Sequence, residues 1–299
     1  MNFDVWGLTG TLATEHDHQM EFAQERLWYW INAFDEACNR FKGDSELTRV
    51  NARAGSTTSI SATLERAIAG ALLASDATGG LCDPTVLPAV LALGYDVDYD
   101  ELVRRHDTPL RAPVKPLGTT AIDLNQRDHT LTLAKGCQLD LGASAKALVA
   151  DLVADDVAPS GGVVVELGGD VAVRGRGPEG LWAIGVSDSL TVTGAEARVS
   201  IGHGGIATSS RTARTWNAGG LLVHHIIDPR TGSFAQGPYA TASVSADSAL
   251  LANAFATAAL LWDEDAGYHV GQAGWSARLV RDDGSVDFVG GWPIEVLAS

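Results

Sequence analysis

From about residue 121 onward, the apolar residues come in short runs cut by glycine: VVVELGG, LWAIG, ARVSIGHGG and LLVHH. Runs of that length, rich in Val and Ile and bounded by Gly or Asx-type turns, predict β-strands. Helical periodicity is confined to a few stretches. It covers Met20–Asn39, where Phe22, Leu27, Trp30, Ile31 and Phe34 recur at helical spacing, then 61–78 up to the Gly79-Gly80 stop, the segment after Gly142, and 249–262. Strands and helices are segregated more than they alternate. The expected class is therefore α+β, a single compact domain over residues 1–299 with a largely antiparallel sheet and packed helices. Residues 3–14 read as one strand, 40–55 as a loop in which Asp44 or Ser45 caps a short turn, and 96–116 as polar connection.

The 299 residues, 45% apolar and 19% charged, suffice for a large core. The net charge of −16 disfavours phosphate backbones and anionic lipid surfaces, so neither nucleic acid nor membrane insertion is expected. The same field repels any anionic ligand unless a local cation or helix N-terminus reverses it. Cys38, Cys82 and Cys137 are odd in number and widely spaced, which suits neither a disulfide framework nor a zinc site. The start of the chain has no basic region followed by a long apolar one. The longest helical apolar stretch, about 14 residues, falls short of the roughly 20 that span a bilayer. These features point to a soluble, reduced, cytoplasmic protein.

Several segments carry chemistry-bearing residues. LDLGASAKAL (139–148) runs from a strand through Gly142 into a helix with Lys146 in its first turn, an arrangement that holds an anion or simply turns a corner. VELGGD (165–170) places Gly168, Gly169 and Asp170 after a buried strand, which suits close approach of a ligand or an ordinary hairpin. His225 and Asp228 sit at a strand end, where an imidazole takes a proton or orients a phosphate; His224 faces the other way. Asn253 and Thr257, four apart on a helix, share one face. They offer oxygen ligands to a hard cation such as Mg²⁺, or they satisfy each other. Phe41 offers a stacking surface beside a polar loop.

In order along the chain, GT (10–11), SELTRVN (45–51), DPTVLP (83–88), LDLGASAK (139–146), ELGGDV (166–171), IATSS (206–210), HIIDPRTG (225–232) and ANAFATAAL (252–260) resemble the ApbE family of FAD:protein FMN transferases. HIIDPRTG and DLGxxAK are the most specific of these, and the series covers nearly the whole chain. The resemblance implies binding of FAD, magnesium-dependent splitting of its pyrophosphate, transfer of FMN to a threonine or serine hydroxyl of an acceptor flavoprotein, and release of AMP. It assigns His225, Asp228 and Lys146 to catalysis. Phe41, Ser45, Glu46, Asn51, Asp83, Thr85, Asp140, Gly142, Gly168, Gly169, Asp170, Thr208, Ser209, Arg214 and His225 fall to FAD. The carbonyl of Ala145 and the side chains of Asn253 and Thr257 fall to Mg²⁺.

The chain departs from the family pattern at four places. Asn253 stands where an aspartate ligand is usual and Phe41 where a tyrosine is, Ala147 replaces a glycine, and Ser210, Arg211 and Thr212 follow the TS pair. The departures keep open an FAD-binding protein without transfer, and an FAD pyrophosphatase that uses water as acceptor.

Overall fold

In chain order, the computed structural model gives β1 (Asn2–Val5), β2 (Leu8–Thr14), α1 (Met20–Cys38), α2 (Glu46–Ala52), β3 (Thr57–Ser59), α3 (Ala62–Ala77), α4 (Leu87–Ala92) and α5 (Tyr99–Arg104). Next come β4 (Ile122–Asn125), β5 (Thr130–Leu133), α6 (Ala145–Val157), β6 (Val163–Leu167), β7 (Asp170–Arg174), β8 (Trp182–Val186), β9 (Ala197–Ile201) and β10 (His203–Ser210). The chain continues through β11 (Thr215–Ala218), β12 (Leu221–His224), β13 (Ile227–Asp228), β14 (Ser233–Phe234), β15 (Tyr239–Ala246), α7 (Ala249–Ala259), α8 (Ala266–Gln272), β16 (Ser276–Arg281) and β17 (Val286–Val289). The structure describes residues 1–187 and 197–292.

The chain divides into two compact units. The first takes Met1–Trp30, Lys146–Ala213 and Gln236–Ser299; the second takes Ile31–Ala145 and Arg214–Ala235. Two of the four breaks fall inside α1 and at the start of α6, and the other two lie between strands, after β10 and after β14.

The first unit is built on an eight-stranded sheet in the order β1-β2-β6-β7-β10-β15-β16-β17, every neighbouring pair antiparallel. The α+β class with an antiparallel sheet is as the sequence predicts. The central strand β7 (DVAVR) is buried along its whole length. α7 (ALLANAFATAA) packs over β7, β10 and β15 and is apolar nearly all round, as a fully covered helix must be. Ser248 caps it by accepting from Leu251 N. Its N-terminus comes so close to β10 that a Cβ at Gly205 would stand 2.3 Å from Ala249 N, so glycine is required there.

The second unit holds α2 to α5, the small sheet β3-β5-β4 and the ribbons β11-β12 and β13-β14. Tyr95, Leu102, Trp216 and Val223 are among the residues of its aromatic and aliphatic core, with Phe41 packed at the edge.

Residues 3–14 form a hairpin and not one strand. Trp6 (φ 51°) and Gly7 (φ 71°) both adopt positive φ, the geometry of a tight two-residue turn that folds β2 back on β1. A short helix, α5, lies inside the polar 96–116 segment, with Arg105 tied to Glu101 and Asp96. Ser45, rather than Asp44, caps α2, accepting from Thr48 N at 3.1 Å. Among the described residues no helix is long and apolar enough to cross a membrane.

Candidate functional site

In the first unit, the residues singled out from the sequence converge where α6, β7, β10 and α7 meet. Lys146 Nζ lies 2.8 Å from Asp170 Oδ2. Asp170, the first residue of β7, is 2% exposed, and its other oxygen accepts from Asn253 Nδ2 at 2.7 Å. An ionised carboxylate only accepts, so the amide nitrogen of Asn253 must face it. Asn253 Oδ1 is thereby turned elsewhere, and it is buried without a hydrogen-bond partner. One helical turn on, Thr257 Oγ1 is 3.0 Å from Ser209 Oγ.

Asn253 and Thr257 share a face as their spacing requires, but they do not satisfy each other. β7 and β10 pair with Ala207 opposite Asp170, so Asp170 and Ser209 reach the same side of the sheet and take the two side chains separately. Thr208 points to the opposite face, where its hydroxyl meets Ser243 Oγ at 2.8 Å. Gly168 (φ 62°) and Gly169 (φ 92°) form the two-residue turn of the β6–β7 hairpin, which delivers Asp170 to its position. Glu166 accepts from Gly169 N at 2.8 Å, and burial pushes its carboxyl above the usual range. Arg211 is spent on Asp282 (2.7 and 2.9 Å) and on the carbonyl of Tyr239 (2.6 Å).

This cluster does not fit a resident Mg²⁺. The orphaned Asn253 Oδ1 is the right kind of atom, as are the hydroxyls of Thr257 and Ser209, but all are neutral. The one carboxylate, Asp170, is already neutralised by Lys146. A hard divalent cation favours charged oxygens, and among the described residues no group of three or more His, Cys, Asp or Glu is arranged to hold a metal.

In the second unit, several predicted cofactor residues also hold the fold. Asn51 Nδ2 donates to Leu139 O (2.9 Å) and Oδ1 accepts from Leu139 N (2.8 Å), both buried. Glu46 accepts from Ser61 N at 2.7 Å and from its hydroxyl at 2.5 Å, beside the N-cap of α3. Asp83 accepts from Thr85 N and Oγ1, while Thr85 Oγ1 accepts from Gly118 N. Burial raises the Asp83 carboxyl. Gly142 N donates to Asp140 Oδ1 at 2.8 Å, and Ala145 N donates to Leu141 O at 2.8 Å as α6 begins.

Arg40, which sequence reasoning missed, ties this region together. Its Nε lies 3.0 Å from Asp140 Oδ2, Nη1 donates to Tyr95 O, and the guanidinium sits 4.0 Å over the Phe41 ring and 4.5 Å over that of Tyr95. The only signal for it was a basic residue next to an aromatic one in an acidic chain. One face of Phe41 is thus occupied by Arg40. Arg214 lies 5.7 Å over the ring of Tyr99.

His224 closes β12 as a structural histidine. Its Nδ1 accepts from Ile226 N at 3.3 Å, so Nε2 carries the proton and donates to Ala235 O at 3.1 Å. His225, next in the chain, is half-buried. Asp228 is the keystone of the DPRTG turn: its carboxylate accepts from Arg230 N (2.8 Å) and Nε (2.9 Å), and its carbonyl accepts from Thr231 N and Gly232 N. A carboxylate so engaged shapes the loop that follows His225.

The family model described as "ApbE family" matches residues 6–277. The chain is 28% identical over 245 residues to a Haemophilus influenzae protein named FAD:protein FMN transferase, covering 78% of this chain and 70% of that one. It is 26% identical over 289 residues to a Vibrio cholerae protein of the same name, covering 93% and 82%. The crystal structure of the ApbE protein from Thermotoga maritima superposes with a TM-score of 0.79 at 20% identity, over 97% of this chain and 96% of that one. With a family match running through nearly every strand and helix described above, this chain belongs to the ApbE family.

Proposed function

We propose that the chain is an FAD:protein FMN transferase: it moves FMN from FAD to a Thr or Ser hydroxyl of an acceptor protein and releases AMP. The observation that carries this reading is the ApbE match over residues 6–277, together with relatives bearing that name. In the reaction the acceptor oxygen attacks the FMN-side phosphorus. A new P–O bond forms, the bond to the bridging oxygen breaks, and AMP leaves with that oxygen. The hydroxyl proton needs an acceptor, and we assign that role to His225; what supports this is that both ring nitrogens of the neighbouring His224 are engaged by backbone groups. Asp228 is a positioning residue that sets the loop beside it. Lys146, at the start of α6, and the positive dipole end of that helix bear on anionic oxygens; since Lys146 also holds Asp170, an arriving phosphate shares its charge. The magnesium ion that the resemblance implies finds no fitting resident site at Asn253 and Thr257, and no step is assigned to it.

The test is product analysis with purified protein, FAD and an acceptor carrying the target hydroxyl. Covalent flavin on the acceptor with one AMP per flavin, lost in His225→Ala, supports transfer. Free FMN and AMP formed without acceptor would make the chain a pyrophosphatase. Unchanged bound FAD would make it a binding protein, the reading that Asn253 favours.

A further inference from the structure

The Lys146–Asp170–Asn253 cluster has a charge balance that a divalent cation would upset. Asp170 is buried, and both its oxygens are taken: the ammonium of Lys146 stands 2.8 Å from one, and the amide N–H of Asn253 donates to the other at 2.7 Å. One negative and one positive charge cancel, and the amide adds a donor without adding charge. Replace Asn253 by aspartate in the same rotamer and two carboxylate oxygens face each other across that short gap. Two buried anions so close repel strongly, and one ammonium cannot neutralise both. A cation, or a proton shared between them, would then have to offset the second charge. The amide N–H of Asn253 removes that repulsion by donating to Asp170.

We propose that Asn253 replaces a bound divalent cation with a hydrogen bond, so that in the flavin-free chain this cluster is complete without metal. The inference rests on the family reading for the cluster's place in the active site, but its chemistry is that of three named side chains. It makes Asn253 a positioning residue, which holds Asp170 and through it Lys146. The unpartnered Oδ1 of Asn253 is what remains on its other side. A lone neutral oxygen beside a neutralised carboxylate leaves Mg²⁺ little to bind.

The experiment is thermal unfolding of flavin-free protein in EDTA and in millimolar Mg²⁺, for the wild type and for Asn253→Asp, with Mn²⁺ titration followed by electron paramagnetic resonance. The wild type should show no metal-dependent shift and no tight Mn²⁺ site. Asn253→Asp should melt lower in EDTA and recover about 5 °C at a cation concentration ~100 times its dissociation constant. It should also bind one Mn²⁺. A wild type that is stabilised by Mg²⁺ as much as the variant, or that binds one Mn²⁺ tightly, overturns the inference; so does a folded Asn253→Asp indifferent to the cation. If that variant does not fold, the wild-type Mn²⁺ titration decides alone, one tight site overturning the proposal and none supporting it. No readout involves flavin, so failure here leaves the transfer assay untouched, and failure of transfer leaves the metal result standing.

Discussion

Asp151, on the buried face of α6, anchors the first turn of α7. Its two oxygens accept from Ala249 N (3.0 Å) and Leu250 N (2.9 Å), the first turn of α7, and Oδ1 also meets Nη2 of the buried Arg174 at 3.2 Å. Truncation in Asp151→Ala strips two buried donors of their acceptor, worth ~1–2 kcal/mol by analogy with a lost N-cap. It also leaves Arg174 short of one partner. Breaking a buried pair costs about 3–5 kcal/mol, and the low end applies because Asp155 still holds Arg174 Nε at 2.7 Å. The sum is ~4 kcal/mol, or a fall of about 8 °C in the melting temperature of a chain this long, read by calorimetry or circular dichroism. A loss below about 1 kcal/mol would refute the view that this carboxylate holds α7 in place. The milder Asp151→Asn keeps an acceptor and adds a pH test. Burial, outweighing the donors, raises the Asp151 carboxyl above its ordinary value. A folded pKa above the unfolded one confers stability that is full below the unfolded pKa and is lost as pH rises through the folded one. The margin of wild type over Asp151→Asn should therefore widen as the pH is lowered from neutral, and a margin that narrows would contradict the assignment.

Three further outcomes follow from the same geometry. Burial pushes Cys38 and Cys82 up to about 12 and Cys137 to about 11, so Ellman's reagent at pH 8 should find no reactive thiol in the native protein and three after denaturation. Asn51→Ala leaves both polar groups of the Leu139 backbone unpaired in the interior and should cost about 2–4 kcal/mol in urea unfolding, whereas Asn51→Asp, which keeps only the acceptor, should lose the bond to Leu139 O. Gly168→Ala places a Cβ 2.4 Å from Leu8 Cδ1 at a φ of 62° and should destabilise by about 1–2 kcal/mol, visible as earlier melting with the far-ultraviolet spectrum unchanged.

The long helices were legible because their apolar spacing and caps are local. α1 ends one residue short of its predicted end at Asn39, and α3 starts at its Ser61 cap. The Trp6-Gly7 turn was missed because tryptophan carries no turn signal, and only its positive φ reveals the hairpin. Which members of an ordered motif series touch one another is a question of strand register, which sequence leaves open. Asn253 and Thr257 read as partners by spacing, yet the β7–β10 pairing gives each its own. Likewise Thr208 and Ser209 are neighbours in sequence but meet different sides of the sheet. Arg40 lay beyond reach for the same reason, since Asp140 is a hundred residues away in the chain.

The ladder between β2 and β6 sets Thr14 opposite Val163, and this has a consequence for how the protein is made. A chain synthesised from its N-terminus at roughly 5–20 residues per second produces β2 about 7 to 30 seconds before the strand that will cover its open side. Through that interval β1 and β2 stand as a lone hairpin, marginal in water and with an unpaired edge. Closing so long a span also taxes folding speed, since distant contacts reward the chain only after the loop is drawn in. The nascent chain, more than the finished one, is where this sheet is open to pairing with the wrong strand.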